Sequence, residues 1–130
     1  MPLWKIYHPT EAFTADDKKT LAKRITEVYA GVPIPRFYVV CVFEEMAKGS
    51  CFVGGEPHHK FIRFKVDQIA RTIPGPILRE WWMRTLEDAI ARKLEFDYAG
   101  CLCFEAMLNH KWRNVLSTIH YALTHGLLAL

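Results

Sequence analysis

Long apolar segments are missing from this sequence. No run of hydrophobic residues approaches the roughly 20 that a membrane-spanning helix requires, and the tail "IHYALTHGLLAL" is shorter and carries two histidines. The first residues do not have the pattern of a secretory signal, because Lys5, His8 and Glu11 stand within a short span. The sequence therefore predicts a soluble cytoplasmic protein with no membrane partner.

A strong charge of one sign is missing as well. Seventeen Lys and Arg residues stand against 14 Asp and Glu residues, which gives a formal net charge of +3. Because this excess is small and spread along the chain, it argues against the dense basic surface of a nucleic-acid-binding domain. It is compatible with a small anionic substrate.

The motifs of metal, phosphate and disulfide sites are also absent. Four cysteines in such a chain are predicted to be reduced thiols. Cys101 and Cys103 lack the matching second pair that a zinc site needs, and the loop histidines at 58–59 are predicted to be solvated. The glycine pair at 54–55 lacks the phosphate-loop pattern and predicts a turn with positive φ. We expect no metal and no cofactor.

Apolar periodicity predicts alternating strands and helices. Strands are predicted at 3–7, in "RFYVVCVFEE" (36–45), within "KGSCFVGG" (48–55) between two turns, in "KFIRFKVDQI" (60–69) and in "EFDYAGCLCFEA" (95–106). The continuous apolar run at 36–45 indicates a strand buried on both faces. Residues 107–130 carry Trp112, Val115 and Ile119 at spacings of three or four and are predicted to be helical.

Two further segments have the pattern of amphipathic helices. In "TADDKKTLAKRITEVYAG" (14–31), Thr14 is the predicted N-cap, acidic residues follow it, and the last residue is glycine. In "PILREWWMRTLEDAIARKL" (76–94), proline stands at the first turn. Its predicted apolar stripe consists of Ile77, Trp81 or Trp82, Leu86 and Ile90.

The order of these elements predicts an α+β fold made of two fused β-α-β units. We expect one domain over 1–130, with the first unit at 2–57, the second at 58–104 and a C-terminal tail at 105–130. Two such units give a four-stranded sheet with both helices on one face. Because the other face would stay uncovered, we expect an oligomer.

Pro2 carries the most specific chemistry in the sequence. It follows Met1 directly, and removal of that methionine would turn its nitrogen into a free secondary amine. Ordinary α-amino groups titrate near about 7.7 to 8.0, and burial of the cation lowers that value. Such an amine can act as a general base or acid near neutral pH. The alternative is a proline that only starts a strand, where its missing N–H does no harm.

Several motifs in order extend this hypothesis. The segments "MPLWKIYHP", "DKKTLAKRITEVYAG", "FYVVCVFEE", "FVGGEPHHKFIRFKVDQIART" and "PGPILREWWMRTLEDAIA" cover roughly residues 2 to 92. They resemble the tautomerase superfamily, and within it the fungal proteins grouped with cis-3-chloroacrylic acid dehalogenase (oxalocrotonate tautomerase-like). The resemblance implies two fused β-α-β units, a homotrimer, no cofactor and Pro2 as the catalytic acid or base.

The same resemblance implies a set of substrate-binding residues. Trp4 matches an aromatic residue near the proline, and Tyr29 stands where the dehalogenase has a histidine. Arg71 in "QIART" matches one of two arginines that hold the substrate carboxylate. The second falls in "IPGP" and is missing; Arg63 or Arg79 are the alternatives. Tyr38 is a further candidate for the pocket wall.

The C-terminal part of the resemblance is incomplete. Tyr98 or Asp97 falls near a tyrosine of the dehalogenase, and no residue matches the glutamate that activates water there. The sequence therefore favours a cofactor-independent tautomerase that acts on a small α-keto or enol carboxylate. The alternatives are a weak cis-3-haloacrylate dehalogenase or hydratase, and a non-catalytic oligomer with the same fold.

Overall fold

A computed structural model describes residues 1–68, 73–94, 99–108 and 111–115. Its strands are β1 (Pro2–Pro9), β2 (Val40–Met46), β3 (Phe52–Val53), β4 (Glu56–Pro57), β5 (Phe61–Gln68), β6 (Ala99–Leu108) and β7 (Lys111–Val115). Its helices are α1 (Ala15–Ala30) and α2 (Pro76–Leu94), and a short 3₁₀ turn spans Arg36–Tyr38. Within the described part, neither helix is long and apolar enough to cross a membrane.

The main sheet joins the two predicted units. Its strand order is β2-β1-β5-β6-β7. β1 and β2 are parallel, β5 and β6 are parallel, and β1 pairs with β5 in the antiparallel direction. Each unit therefore has the strand-helix-parallel strand form that was predicted, and the antiparallel β1–β5 pair fuses the two units into one sheet.

Strict alternation along β1 and β5 separates the two faces of this sheet. Every second residue of both strands is buried, beginning with Pro2 in β1 and Ile62 in β5. Five of these side chains form one core with the buried residues of α1 (Leu21, Ile25 and Tyr29) and of α2 (Trp82, Leu86 and Ile90); the five are Trp4, Ile6, Ile62, Phe64 and Val66. Both helices consequently cover the same face of the sheet, as predicted.

The N-terminus of α1 is set by a capping box. The backbone N–H of Asp17 donates to the Thr14 hydroxyl at 3.2 Å, and the Asp17 carboxylate accepts from the Thr14 N–H at 3.0 Å. These two bonds satisfy backbone donors that the first turn leaves without partners, and the acidic side chain also complements the helix dipole. The predicted N-cap is confirmed.

Helix α2 resolves the choice between the two adjacent tryptophans. Trp82 is buried in the core, whereas Trp81 is half exposed. Ile77 was predicted to be in the apolar stripe, and this was wrong, because it is 83% exposed. The reason is helical phase: Ile77 lies four residues before Trp81 and shares its exposed face, while Trp82 leads the buried series.

Strand β2 differs from its prediction in where it begins and in how deeply it is buried. It begins at Val40, because residues 36–38 form the 3₁₀ turn. It lies at the edge of the sheet, and its residues are half-buried or exposed. Its apolar run was misread as burial on two faces: Cys41 and Phe43 pack on the core, while Val42 stands on the open face at 38% exposure.

The short β3–β4 hairpin confirms the predicted turn–strand–turn segment. Gly54 and Gly55 join the strands with φ angles of 62° and 88°. Side chains rarely adopt this left-handed backbone, so glycine is required at both positions.

The predicted C-terminal helix is wrong where the structure describes it. Residues 107–108 end β6, and Lys111–Val115 form β7, which pairs antiparallel with β6. A spacing of three residues between Trp112 and Val115 does not by itself exclude a strand, and pairing with β6 supplies backbone hydrogen bonds that decide the outcome. The described sheet therefore has five strands where four were predicted, and Ile119 lies outside the described residues.

Candidate active site

The candidate site lies at the edge of the sheet where β1 begins and β5 ends. Pro2 is the first residue of β1, and its side chain is fully buried on the helix-covered side. In the antiparallel ladder it stands opposite Gln68, the last residue of β5. Trp4 follows on the same side of β1 and is also fully buried. Pairing of the two units thus places a buried amide beside Pro2.

A chain of polar groups connects Trp4 to Gln68 through Tyr29. The Trp4 indole N–H donates to the Tyr29 hydroxyl at 3.2 Å, and that hydroxyl donates to Gln68 Oε1 at 3.4 Å. The Trp4 ring also meets the rings of Tyr29 and Phe64 edge-on, at centroid distances of 6.5 and 6.4 Å. These contacts fix the orientation of the aromatic rings around Pro2.

Helix α2 contributes Trp82 to the same cluster. Its ring lies 5.2 Å from the Tyr29 ring, between centroids, in an edge-to-face arrangement. The indole Nε1 is buried, and within the described part of the chain it has no hydrogen-bond acceptor. A buried donor without an acceptor destabilises the fold by about 1–3 kcal/mol. The Trp82 N–H is therefore an energetic cost within this aromatic cluster.

Burial controls the ionisation of the groups around Trp4. It raises the pKa of the Tyr29 phenol above its ordinary value, although the hydrogen bond from Trp4 opposes this shift. The phenol therefore stays protonated at neutral pH. Cys41 stands opposite Trp4 in the β1–β2 ladder, and burial raises the pKa of its thiol to about 11. Neither group supplies an anion near neutral pH.

The structure brings together three of the five predicted site residues. Pro2, Trp4 and Tyr29 share the buried cluster. Tyr38 does not begin a buried strand: it ends the 3₁₀ turn, is 44% exposed, and contacts the Phe37 ring at a centroid distance of 4.6 Å. Arg71 lies outside the described residues.

The two alternative arginines occupy different places. Arg63 is on β5, five residues before Gln68, which corresponds to about 17 Å along a strand. Its exposed side chain belongs to the open face of the sheet, so it does not replace the missing second arginine beside Pro2. Arg79 is exposed at the start of α2, where its Nε donates to the Ile73 carbonyl at 3.1 Å.

Sequence reasoning missed Gln68 as a member of this site. One signal was available: Ile62, Phe64 and Val66 occupy the buried side of β5, and an amide at the next inward position breaks the apolar alternation. A buried polar side chain at the end of a strand requires a hydrogen-bonding partner. The identity of that partner depended on the position of α1, which the periodicity of β5 does not specify.

The other predicted constellations lie elsewhere. His58 and His59 line a groove of about 360 Å³ with Lys48 and Lys60, at the end of β5 opposite Gln68. Among the described residues, no group of three or more His, Cys, Asp or Glu side chains is placed to hold a metal ion. Cys41 and Cys51 are free thiols. Cys101 and Cys103 are in β6.

Comparison with known proteins assigns this arrangement to a family. A family model described as "Putative oxalocrotonate tautomerase enzyme" matches residues 1–97. Native RhCC from Rhodococcus jostii RHA1 is 35% identical, with a TM-score of 0.71 over 81% of this chain and 78% of that chain. A protein of the thermophilic fungus Aspergillus fumigatus, described as a probable enzyme, is 25% identical, with a TM-score of 0.72 over 95% and 91% of the two chains.

More distant structures share the fold alone. N1, a member of the cis-3-chloroacrylic acid dehalogenase family, is 13% identical, with a TM-score of 0.67 over 81% of this chain and 74% of that chain. A fused 4-OT described as a symmetric trimer is 21% identical, with a TM-score of 0.59 over 77% and 82% of the two chains. Curated protein sequences gave no match. With the family model covering the strands and helices that surround Pro2, the chain belongs to the oxalocrotonate tautomerase-like family of the tautomerase superfamily.

Proposed function

We propose that this chain is a cofactor-independent tautomerase in which the Pro2 nitrogen, freed by removal of Met1, is the general acid and base. The observation that carries the proposal is the position of Pro2. Its ring is buried at the start of β1, beside Gln68 and on the same side as Trp4. A proline that only started a strand would not require a buried polar network at that end of the sheet.

The physical chemistry of the amine suits proton transfer at neutral pH. A free secondary amine at Pro2 would lie among apolar and aromatic groups, which disfavour its cationic form and lower its pKa. In the ketonisation of an enol, the enol oxygen loses a proton and the adjacent carbon gains one. An amine that titrates near neutral pH can accept the first proton and donate the second.

The substrate proposed for this site is a small α-keto or enol carboxylate. Arg71 would hold the carboxylate through a bidentate, charge-assisted contact of the kind that guanidinium groups make. The support for this role is the "QIART" motif, which places Arg71 three residues after Gln68 in the sequence. Trp4 and Tyr29 would wall the pocket, and Tyr38, which lies two residues before β2, would be an outer wall residue.

Hydrolytic dehalogenation or hydration is less favoured by the same geometry. Those reactions need a group that activates water, and no residue of this chain matches the glutamate that has this role in the dehalogenase. Tyr29 stands where the resemblance places a histidine that helps to position substrate or water. The Tyr29 hydroxyl already donates to Gln68, and its pKa is raised by burial. A protonated phenol with its hydrogen engaged is a poor base, so we expect little halide release from cis-3-chloroacrylate.

A homotrimer is the assembly that we propose, with the open face of the sheet as its interface. This face includes Leu3, Lys5 and Tyr7, which are only half-buried in the single chain. Lys5 stands directly opposite Lys65 across the β1–β5 ladder. Asp67 lies on the same face, with its carboxylate 3.7 Å from the Lys65 Nζ, so the proposed interface would contain paired charges as well as apolar side chains. A cytoplasmic location is part of the same proposal.

The proposal is tested by following the ketonisation of phenylenolpyruvate by absorbance. Intact mass first establishes that Met1 has been removed, because a Pro2 amide has no basic lone pair. Pro2→Ala keeps a small second residue for methionine removal and replaces the secondary amine with a primary one. We expect kcat/KM to fall by about 10²- to 10⁴-fold, the usual contribution of general acid–base catalysis.

Pro9→Ala is the matched control, since Pro9 ends the same strand far from the site. It should retain the rate of the unsubstituted protein. Equal rates for Pro2→Ala and the unsubstituted protein would exclude the proline mechanism. If no activity depends on Pro2 while a stable oligomer is present in light scattering, the chain is a non-catalytic member of the fold.

A further inference from the structure

A basic groove lies at the end of the sheet opposite Pro2. Its volume is about 360 Å³, and small-molecule sites commonly occupy about 300–1,000 Å³. Pro9, the last residue of β1, lines it. With a rise of about 3.3 Å per residue, the two ends of this eight-residue strand are roughly 23 Å apart. The groove is therefore separate from the candidate active site, and the proposed function does not use it.

The pairing of β1 with β5 makes the two ends of the sheet equivalent. Lys5 stands opposite Lys65 in this antiparallel ladder, so a twofold rotation about that pair relates β1 to β5. Pro2, three residues before Lys5, then corresponds to Ile62, three residues before Lys65. The nitrogen of Ile62 is part of an amide, so the groove end of the sheet has no terminal amine. We expect this end to bind a ligand without catalysing a proton transfer.

The charged side chains of the groove are mainly cationic. Lys48 and Lys60 line it together with two histidines, and Glu11 is the one acidic residue among the described lining residues. No ion pair among the described residues includes either lysine. By contrast, Glu45, near the end of β2, is already paired with Lys18 at 2.9 Å. The two lysine charges are therefore available to an anionic ligand.

Backbone hydrogen bonds hold the segments that carry these cations. Lys48 stands in a turn that the Ser50 N–H closes by donating to the Ala47 carbonyl at 3.0 Å. The Nδ1 atom of His58 accepts from the Lys60 N–H at 3.3 Å. Because Nδ1 is an acceptor, the Nε2 atom of the neutral ring carries the proton and is a donor. The groove thus combines two positive charges with a neutral N–H donor on a preformed backbone.

We propose that this groove is a second, non-catalytic site that binds a small organic phosphate through its phosphoryl group. A phosphomonoester carries a charge of about −1.5 to −2 at pH 7, which matches the two lysines. Lysine binds phosphate as a point charge, whereas bidentate recognition of a planar carboxylate favours arginine. No arginine is among the described residues that line the groove. The volume exceeds that of a phosphate ion, so the ligand has an organic part as well.

The test measures the binding of glycerol 3-phosphate by isothermal titration. The salt concentration is about 0.1 M, where charges separated by more than about 10 Å are largely screened. Succinate is the comparison ligand, because it carries a similar charge on two carboxylates, and inorganic phosphate provides the phosphoryl oxygens without the organic part. Amide NMR shifts locate the bound ligand: those of Gly49 and Lys60 report on the groove, and that of Trp4 reports on the candidate active site.

We expect glycerol 3-phosphate to bind with a Kd at or below about 1 mM. Lys48→Met and Lys60→Met should each raise the Kd about five- to tenfold, because each removes a charge-assisted contact. Glu11→Gln should lower the Kd about two- to fivefold because it removes a repulsive charge, and a misfolded variant would not show such a gain. Lys19→Met is the matched control, since Lys19 is an exposed lysine of α1 outside the described lining. Its Kd should stay within about twofold.

The inference is supported if glycerol 3-phosphate shifts the groove amides and both groove lysine variants bind it more weakly than Lys19→Met does. Absence of saturable binding refutes it, and so do shifts confined to Trp4, which would place the ligand at the candidate active site. Equal affinity for succinate refutes the phosphoryl preference, and equal affinity for inorganic phosphate refutes a role for the organic part. None of these outcomes depends on a tautomerase rate, so the result is independent of the proposed function.

Discussion

Replacing Tyr29 with phenylalanine removes one oxygen atom from the buried network beside Pro2. The ring contacts with Trp4 and Trp82 are retained, so the change isolates the hydrogen bonds. Tyr29 is fully buried, and its hydroxyl accepts from Trp4 at 3.2 Å and donates to Gln68 at 3.4 Å. The substitution leaves a buried N–H and a buried amide oxygen without these partners.

The magnitude follows from those two distances. An unsatisfied buried polar group costs about 1–3 kcal/mol. Both bonds are longer than the usual optimum, which lies near about 2.9 Å for N–H donors and 2.7 Å for O–H donors. We therefore take about 1 kcal/mol for each of the two buried groups that lose a partner. Tyr29→Phe should reduce the free energy of unfolding by about 2 kcal/mol in total. For a chain of this size, that corresponds to a fall in Tm of roughly 8 °C.

The same substitution should change the dependence of stability on pH. An unfolded tyrosine titrates near about 10, and burial raises the pKa of Tyr29 in the folded protein above that value. The contribution of the phenol is complete below pH 10 or so and declines as the pH rises toward the folded pKa, because the unfolded state then releases its proton first. The difference in the free energy of unfolding between the unsubstituted protein and Tyr29→Phe should therefore become smaller above about pH 10.

Urea denaturation at neutral pH and at about pH 10.5 measures both effects. Protein concentration is held constant, because assembly adds to the apparent stability. Tyr38→Phe is the control, since it makes the same chemical change at a half-exposed tyrosine. A loss for Tyr29→Phe that is no larger than the loss for Tyr38→Phe would refute the network. If the stability difference between the unsubstituted protein and Tyr29→Phe is the same at both pH values, burial does not raise the pKa of Tyr29.

Two further predictions concern the core and the thiols. Leu86→Ala should lower the free energy of unfolding by about 2–5 kcal/mol because Leu86 is fully buried. Leu78 is 44% exposed on the same helix, so Leu78→Ala should lower it much less. Similar urea midpoints for the two variants would contradict the assignment of the buried face of α2. Cys41 should resist alkylation by iodoacetamide at pH 8, since burial raises the pKa of its thiol to about 11. Mass spectrometry of the folded and urea-unfolded protein measures this protection, and equally fast labelling of Cys41 in both states would contradict it.

Local patterns in the sequence predicted most of the elements correctly. The capped segment after Thr14 and the alternation through β1 and β5 each depend on neighbours a few residues away. Apolar residues that recur every three to four positions indicate the buried face of a helix, and those that recur every second position indicate the buried face of a strand. That is why α1, α2, β1 and β5 were found, and why Pro2 was recognised at the start of a strand.

Errors arose where the outcome depended on a distant segment. The apolar run in β2 was interpreted as a strand buried on both faces, yet the strand lies at the edge of the sheet and its residues are half-buried or exposed. The segment that contains Trp112 was predicted to be helical, yet it pairs with β6. An apolar residue at an edge and one at a centre can have the same sequence context, since only the neighbouring strand distinguishes them.

By itself, the sequence determined the types of most of its elements, the buried side of most of them and the presence of a proline at the start of β1. Only the tertiary structure decided what surrounds that proline. The antiparallel pairing of β1 with β5 sets Gln68 opposite Pro2, and the packing of α1 sets Tyr29 between Trp4 and Gln68. Local periodicity specifies which face of an element is apolar but not which element covers it, so residues far apart in the chain meet only through packing.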